Sequence, residues 1–353
     1  MDNKIFYEIN GIKYEGVTSF QATDSMVNFG KSFSISITIN SEIAPSLLNA
    51  STQDEIKIYI DNNLILTGYI IGRNIDYDSS SHTITFEGAD KATDIIDSDV
   101  IQKSYNIRSF PKLITQTLLD NGYNLKVINN VIGLPLLDQN EKVNTESGET
   151  IINFLFRYAQ KVQALLTTNE DGNIVITRED KIGNIGNIVS EQNGSNNNIL
   201  SASYRESTKD RFNIVEVFSQ DTNDFHTEQA SNQQGKSIDS DIRSPRRRRI
   251  VFSDPTTSKF LNDYAKWFIN VKRAKGKTYN VRLQGYYGGS LWKSNNLVKV
   301  KDDFAGLNGE FLIQDVTYSK SLNGSFTDLV IVEKGSLTLE PSLSDVIGLF
   351  SLL

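Results

Sequence analysis

From Phe33 to Ile39 every second residue is large and apolar, and Ile56, Ile58 and Ile60 repeat the pattern further along. A period of two sends alternate side chains to opposite faces of a strand, so each run predicts a half-buried β-strand. Turn residues punctuate the runs. Asp61-Asn62-Asn63 leads tightly into an apolar segment over 64–71, and Asp78-Ser79-Ser80-Ser81 separates a strand ending at Tyr77 from one over 83–86. The N-terminal part of the chain reads as a meander of hairpins.

From about Ala92 the period changes. Phe110, Leu113, Ile114, Thr117 and Leu118 fall at helical spacing, with Ser109 as N-cap, Pro111 in the first turn and Gly122 as stop. A second helix is expected over 150–163, where Ile151, Leu155, Tyr158, Ala159 and Val162 form a stripe behind the acidic Glu149. It should pack on a small sheet over 164–168 and 173–177, joined by the turn Glu170-Asp171-Gly172. Residues 181–200 read as an exposed connection, 212–218 as a strand, and the polar stretch 221–241 as a long loop outside the core. A third helix over 256–274 carries Phe260, Tyr264, Trp267, Phe268 and Val271, with Asp254 as cap and Gly276 as stop; strands resume over 277–332.

A weak duplication underlies this pattern. Gly68-Tyr69-Ile70-Ile71 runs without a gap to Ile75 and Tyr77, and Gly309-Glu310-Phe311-Leu312 runs at the same spacing to Val316 and Tyr318, 241 positions later. Ile56-Lys57-Ile58 ahead of the first copy matches Val298-Lys299-Val300 ahead of the second, 83–86 and 327–331 supply closing strands, and 33–37 and 212–217 read as equivalent opening strands. Any two meanders share alternating apolar residues and a glycine, so coincidence competes with duplication; the gapless Gly-to-Tyr spacing favours duplication. The expected fold class is mainly β with an inserted α/β domain. A first tube-like β-barrel occupies 1–96, the small α/β domain 97–182, a second tube-like barrel 183–341 including the long helix, and an apolar tail 342–353. Three such chains in a homotrimeric ring would present six similar units.

The 353 residues are 38% hydrophobic, enough for a sizeable core. A formal net charge of -7 argues against gripping nucleic acid over the whole surface, because phosphate neutralisation needs a cationic face. With no cysteine, disulfides, thiolate nucleophiles and cysteine-ligated zinc are excluded, and only His82 and His226 could supply imidazole. No signal-peptide pattern and no run of about 18 apolar residues is present, so neither export by a signal peptide nor a membrane span is expected.

Catalytic patterns are thin, and no cofactor or metal site is expected. His82 lies beside Ser79-Ser80-Ser81, but no G-x-S-x-G elbow accompanies them. Asp302-Asp303 and Glu146 with Glu149 could imitate the acid and base of a glycosidase, yet turn formation and helix initiation explain both. The stretches 288–290 and 306–309 lack the Lys-Ser/Thr ending of a phosphate loop. The sharpest charge feature is Arg246-Arg247-Arg248-Arg249, in a basic segment over 243–277. Running into Ile250-Val251-Phe252 as a strand, the arginines would alternate, two to a face. Ion pairs with a neighbouring subunit or another protein of an assembly are the preferred reading, over a solvated face or DNA contact. In the tail, Leu349 and Phe350 belong to an apolar segment that reads either as seated in a neighbour's groove or as packed on its own barrel.

Several stretches are similar to one family. Leu66-Thr67-Gly68-Tyr69-Ile70, Tyr77-Asp78, His82-Thr83-Ile84 and the run from Gly88-Ala89-Asp90 to Asp97 resemble the Mu-like phage baseplate hub proteins. A second block agrees, with 247–251 ahead of the long helix, then Gly285, Leu291-Trp292, Asn295-Asn296-Leu297-Val298 and Gly309-Glu310-Phe311-Leu312-Ile313. Each stretch is a Gly-and-apolar β signature; their order over nearly the whole chain makes the resemblance specific. It marks Gly68, Tyr77, Asp90, Gly285, Trp292, Asn295, Gly309 and Tyr318 as structural family positions.

The resemblance implies a structural subunit rather than an enzyme. It implies a homotrimeric adapter between the sixfold tail tube protein and the threefold central spike protein, with baseplate wedge proteins around it and the tape measure protein as a further contact. DNA would cross its channel in transit without specific binding. The protein would sit in the tail baseplate of the virion after assembly in the host cytoplasm. The same hub fold occurs in siphophage tail tips, bacterial contractile toxins and type VI spike bases, so the hub of a phage-like injection machine is an alternative. A tail-associated glycan hydrolase is another, and a carbohydrate-binding module with a platform such as Tyr286-Tyr287 a third. No second globular domain is expected after Pro341, which makes a lysozyme or spike needle a separate protein.

Overall fold

The computed structural model describes residues 4–39, 47–137, 143–179, 183–192, 194, 196–219, 234–252 and 258–339. The N-terminal alternation becomes seven strands: β1 (Ile5–Ile9), β2 (Ile12–Glu15), β3 (Ser19–Ser25), β4 (Ser32–Thr38), β5 (Glu55–Ile60), β6 (Asn63–Tyr77) and β7 (His82–Asp90). Phe33, Ile35 and Ile37 of β4 and Ile56, Ile58 and Ile60 of β5 all turn inward and are buried, each worth about 2 kcal/mol of transfer free energy. The Asp61 turn adopts a φ of 52°, and Asp78 closes the β6–β7 hairpin by accepting from the N–H groups of Ser80 and Ser81 at 2.7 and 2.8 Å. Short polar side chains tolerate such backbones and bond to them locally.

The middle of the chain folds as α1 (Asp94–Asp97), β8 (Ser104–Tyr105), α2 (Phe110–Asp120), β9 (Val127–Asn129), β10 (Val143–Asn144), α3 (Ile151–Lys161), β11 (Leu165–Thr168) and β12 (Ile174–Thr177). Thr150 caps α3 by accepting from the Asn153 N–H, whereas Ser109 flanks α2 without a side-chain cap bond. The helical stripes meet the sheet in one core that includes Phe110, Ile114, Phe154, Leu155, Leu166 and Ile176.

The last part contains β13 (Asn184–Ser190), β14 (Ile199–Glu206), β15 (Ile214–Ser219), β16 (Gln234–Ile238), β17 (Arg247–Phe252), α4 (Ser258–Lys275), β18 (Lys277–Gln284), β19 (Leu297–Asp302), β20 (Leu307–Ser321) and β21 (Gly324–Val332). Two sequence expectations are corrected here. The supposed exposed connection holds β13, which runs parallel to β19 and buries Ile188. The supposed loop contains β16, antiparallel to β15, and ends on Asp239, which is 1% exposed. Both strands are short of apolar residues, and β13 is completed by a distant partner, so no local alternation marks them. Residues 221–233 of that loop and the expected cap Asp254 lie outside the described residues. Strands β15 to β17 and α4 enclose their own core of Val215, Val217, Phe260, Leu261, Ala265 and Ile269.

The remaining strands join the first seven in one 13-stranded sheet, in the order β14-β18-β21-β20-β3-β4-β7-β6-β5-β1-β2, with β19 against β20 and β13 outside it. The expected pair of closed barrels is therefore not what forms: the described strands make a single open sheet, continuous from one repeat to the other through β20 and β3. The duplication itself is visible in the ladders. The order β4-β7-β6-β5 recurs as β18-β21-β20-β19. Ile70 opposite Gly88 becomes Ile313 opposite Ile331, 243 positions on in both strands, and both ladders shift register immediately after that pair.

The shared bulge places the copies two positions away from the 241 suggested by the Gly-to-Tyr spacing. A strand repeats its facing every two residues, so the sequence pattern looks the same in either alignment. Gly68 is thus the counterpart of Phe311 rather than of Gly309, and Tyr318 of Ile75 rather than of Tyr77. Nor is 212–217 the second opening strand. β18 takes that place, since Phe33 opposite Gly88 becomes Tyr279 opposite Ile331.

The contacts at the glycines agree with the bulge. A Cβ on Gly68 would lie 1.9 Å from the Ala89 carbonyl oxygen, while one on Gly309 would meet nothing closer than 3.8 Å. Gly68→Ala should cost about 3 kcal/mol or more by forcing β6 and β7 apart, whereas Gly309→Ala should change stability by no more than about 0.5 kcal/mol. Chemical denaturation of the two variants checks the contrast.

Candidate assembly interface

The arginine run enters β17, which lies parallel to β15, and its side chains alternate. Arg247 and Arg249 approach Glu216 at 3.7 and 3.2 Å. Arg246 and Arg248 lie over the other face, their guanidinium groups 5.6 and 6.0 Å from the Phe212 ring centre. Arg246 also donates to the carbonyls of Thr208 and Lys209 at 2.8 and 2.7 Å. Each arginine therefore has a partner within its own chain. Arg247 and Arg249 keep 48% and 64% of their side-chain surface in water while sharing one carboxylate, so this edge carries net positive charge.

Beneath the run lies a denser ionic knot that sequence reading missed, because Asp239 stood in the supposed loop. Its carboxylate receives Arg211 Nη2 at 2.9 Å on one oxygen and Arg273 Nη2 at 2.7 Å on the other. Burial acts to raise the Asp239 pKa, but the donors from Arg273 and Arg211 outweigh it and hold the carboxyl below the usual range. Arg273, in the last turn of α4, is thereby tied to the small β15 sheet, with Arg211 itself buried.

The family positions differ in how far the fold engages them. Asp90 ends β7, and its oxygens accept from the Lys31 N–H at 2.9 Å, the Thr93 hydroxyl at 3.0 Å, the Ala92 N–H at 3.1 Å and the Thr168 hydroxyl. Burial pushes its carboxyl above the ordinary range against these donors. Through Thr168 it pins the α/β unit to the first repeat. Asn295 makes the corresponding tie from the second repeat, its amide donating to Thr177 Oγ1 and the Arg178 carbonyl at 3.2 and 3.0 Å. Trp292 is buried edge-on over Gly288, where a Cβ would meet the indole at 2.0 Å. Tyr318 donates its hydroxyl to the Trp292 carbonyl and packs edge-on against Tyr286. Gly285 donates to the Ser325 carbonyl at 2.8 Å at the β18 end. Tyr77 stands 76% exposed, stacked on His82, and Gly309 lies in β20, where a Cβ would meet only the Phe311 ring at 3.8 Å. Leu349 and Phe350 lie outside the described residues.

The serine and carboxylate side chains that suggest catalysis in the sequence are engaged in the framework. The Ser80 hydroxyl donates to Asp78 rather than meeting His82. Asp302 accepts from the buried Tyr279 hydroxyl at 2.6 Å and from the N–H groups of Phe304 and Ala305, and Glu149 is gripped by Arg157 at 3.0 and 2.7 Å. Among the described residues no group of three or more His, Asp or Glu side chains could hold a metal ion, and no helix is long and apolar enough to cross a membrane.

Two matched ladders spliced edge to edge, with one α/β unit between them and another inside the second copy, is a fold that the chain shares with solved tail proteins. The chain resembles the 43 kDa tail protein of prophage MuSo2 from Shewanella oneidensis with a TM-score of 0.80, at 23% identity over 96% of this chain and 100% of that one. It resembles the tail protein from Neisseria meningitidis MC58 with a TM-score of 0.79, at 19% identity over 96% and 98%. Residues 4–90 match the N-terminal domain of the Mu phage baseplate assembly protein GpP-like family, and residues 257–340 match the fourth domain of Mu phage baseplate assembly protein GpP. Baseplate hub protein gp44 of Escherichia phage Mu is 22% identical over 333 residues, covering 90% of this chain and 84% of that protein. Two segments of the chain, 4–90 and 257–340, thus carry the pattern of Mu phage baseplate assembly protein domains.

The Asp239 knot makes a pH-dependent prediction. A carboxyl held below its unfolded value of about 3.9 adds stability above that pH and loses it as pH falls through the folded value. Asp239→Asn should destabilise by about 3 kcal/mol near pH 7, leaving a buried arginine short of its counter-charge. The gap from the unsubstituted protein should narrow below about pH 4, as read from denaturation curves across pH.

Proposed function

We propose that this chain is a structural baseplate hub subunit of a contractile tail, a homotrimeric adapter that matches the sixfold tail tube to the threefold central spike. The observation that carries this reading is the splice of two equivalent ladders side by side in one sheet: three copies present six like units, the symmetry conversion such an adapter needs. The matches of residues 4–90 and 257–340 to Mu phage baseplate domains and the fold shared with solved tail proteins support it. Wedge proteins and the tape measure protein are its further neighbours, with the exposed Arg247 and Arg249 edge and the tail over 342–353 as contact segments. The units 1–96, 97–182 and 183–341 act as first repeat, insert and second repeat. DNA crosses the ring without specific binding. The work is mechanical, not enzymatic.

Native mass spectrometry of the purified full-length chain, followed by single-particle imaging, tests the proposal. A trimer with a threefold ring that looks sixfold at low resolution is the expected result. A chain that stays monomeric at all concentrations and cleaves cell-wall or capsular glycans would overturn it. Arg247→Ala/Arg249→Ala should leave the fold intact and lower incorporation into baseplates in a complementation assay; unchanged infectivity would remove that edge from the interface.

A further inference from the structure

Helix α4 packs on one side of the small sheet formed by β16, β15 and β17. Val215 and Val217 of β15 turn toward it and are buried in their shared core. Gly235 of β16 meets the helix backbone so closely that a Cβ would lie 2.1 Å from Leu261. The alternate residues face the other way. In register across the three strands, Ile214 lies between Ile238 and Arg247, Glu216 between Lys236 and Arg249, and Phe218 between Gln234 and Val251.

A sheet packed on one side alternates to polar residues on the side left to water. Here four of the nine outward positions are large and apolar, and Ile238 and Val251 stand 62% and 57% exposed. Three more are exposed cations, Lys236, Arg247 and Arg249. Glu216 is the single acid among the nine, and Arg247 and Arg249 already share it at 3.7 and 3.2 Å. Exposed apolar side chains grouped on one face and rimmed by charge mark an interaction surface.

We propose that this face docks one amphipathic helix of a different protein, its apolar stripe seated on Ile214, Phe218, Ile238 and Val251 and its flanking Asp or Glu residues paired with Lys236, Arg247 and Arg249. The inference rests on the assembly role proposed above and names the kind of partner that the Arg247 and Arg249 edge takes. Width selects a helix. Strands lie about 4.8 Å apart, so the outer two of three are about 10 Å apart, the diameter of one helix with its side chains. On the opposite face α4 shows the fit, one helix covering the same sheet. Charge selects an acidic partner, because carboxylates would supply the counter-ions that the lone Glu216 cannot. A second copy of the same face would set cation against cation, and a nucleic acid backbone would bring no apolar stripe to cover Ile238 and Val251.

Two synthetic peptides as long as α4, 18 residues, test the site on the full-length chain. Both carry leucines at helical spacing, one flanked by glutamates and the other by lysines. Isoleucine-methyl NMR should show the glutamate peptide shifting Ile214 and Ile238 and binding at least about tenfold more tightly than the lysine peptide. Arg247→Glu/Arg249→Glu should remove that preference. Equal binding of the two peptides, or binding of neither, would overturn the proposal whatever the oligomeric state. In assembled particles, a photo-cross-linking residue in place of Ile238 should attach to an acidic helical segment of a different protein. Attachment to another copy of this chain, to its own tail over 342–353, to DNA or to nothing would also overturn it. A chain that binds the glutamate peptide but stays monomeric at all concentrations would sink the trimeric hub and leave the docking face standing.

Discussion

Strand β3, near the N-terminus, lies hydrogen-bonded against β20, and no other contact so constrains the rest of the chain. Thr23 meets Thr317 across the splice at 3.3 Å, and Ser25 donates to Asp315 at 2.5 Å, partners 294 and 290 residues apart. Closing a loop of that length costs little more entropy than closing one half as long, but the intervening chain must pack without blocking the edge. Both α/β units are therefore confined to positions beside the sheet, and the two ladders cannot drift apart as independent barrels. The symmetry argument for a hub depends on this rigid side-by-side placement.

Polar anchors, added to apolar contacts such as Leu165 on Leu297 and Leu312 and Phe29 on Phe156, fix the insert relative to the sheet. Asp90 reaches Thr168 from the first repeat, and Asn295 reaches Thr177 and Arg178 from the second. The Lys293 ammonium meets Glu170 at 2.5 Å between them. Hydrogen bonds demand direction where apolar packing does not, so a few of them set an orientation that contact area alone leaves loose. The same logic operates at Asp239, where one buried carboxylate aligns the helix end and the small sheet by gripping two arginines.

Much of the fold was legible because its signals are local. Periods of two and of 3.6 residues marked β4, β5, α2, α3 and α4, and Asp78 announced a hairpin through a side chain that bonds its own backbone. The polar strands β13 and β14 were illegible for the converse reason: their partners are distant, and their faces are only partly covered. The arginine run was found by composition, and its alternation followed from strand geometry. Its partners Glu216 and Phe212 could not be read, since contact between parallel strands leaves no trace in local spacing.

The repeat shows where sequence stops and tertiary structure begins. Sequence by itself determined that two similar β units exist, which residues face the core, and that disulfides and thiolate chemistry are absent. Only the folded sheet decided their alignment, because a two-residue slip preserves every inward side chain and a bulge shared by β6 and β20 is needed to choose between 241 and 243. Only the folded sheet decided, too, that the units join edge to edge instead of closing separately. Backbone hydrogen bonding accepts any free edge, so the selection of partner lies in the packing of the whole sheet rather than in the composition of either strand.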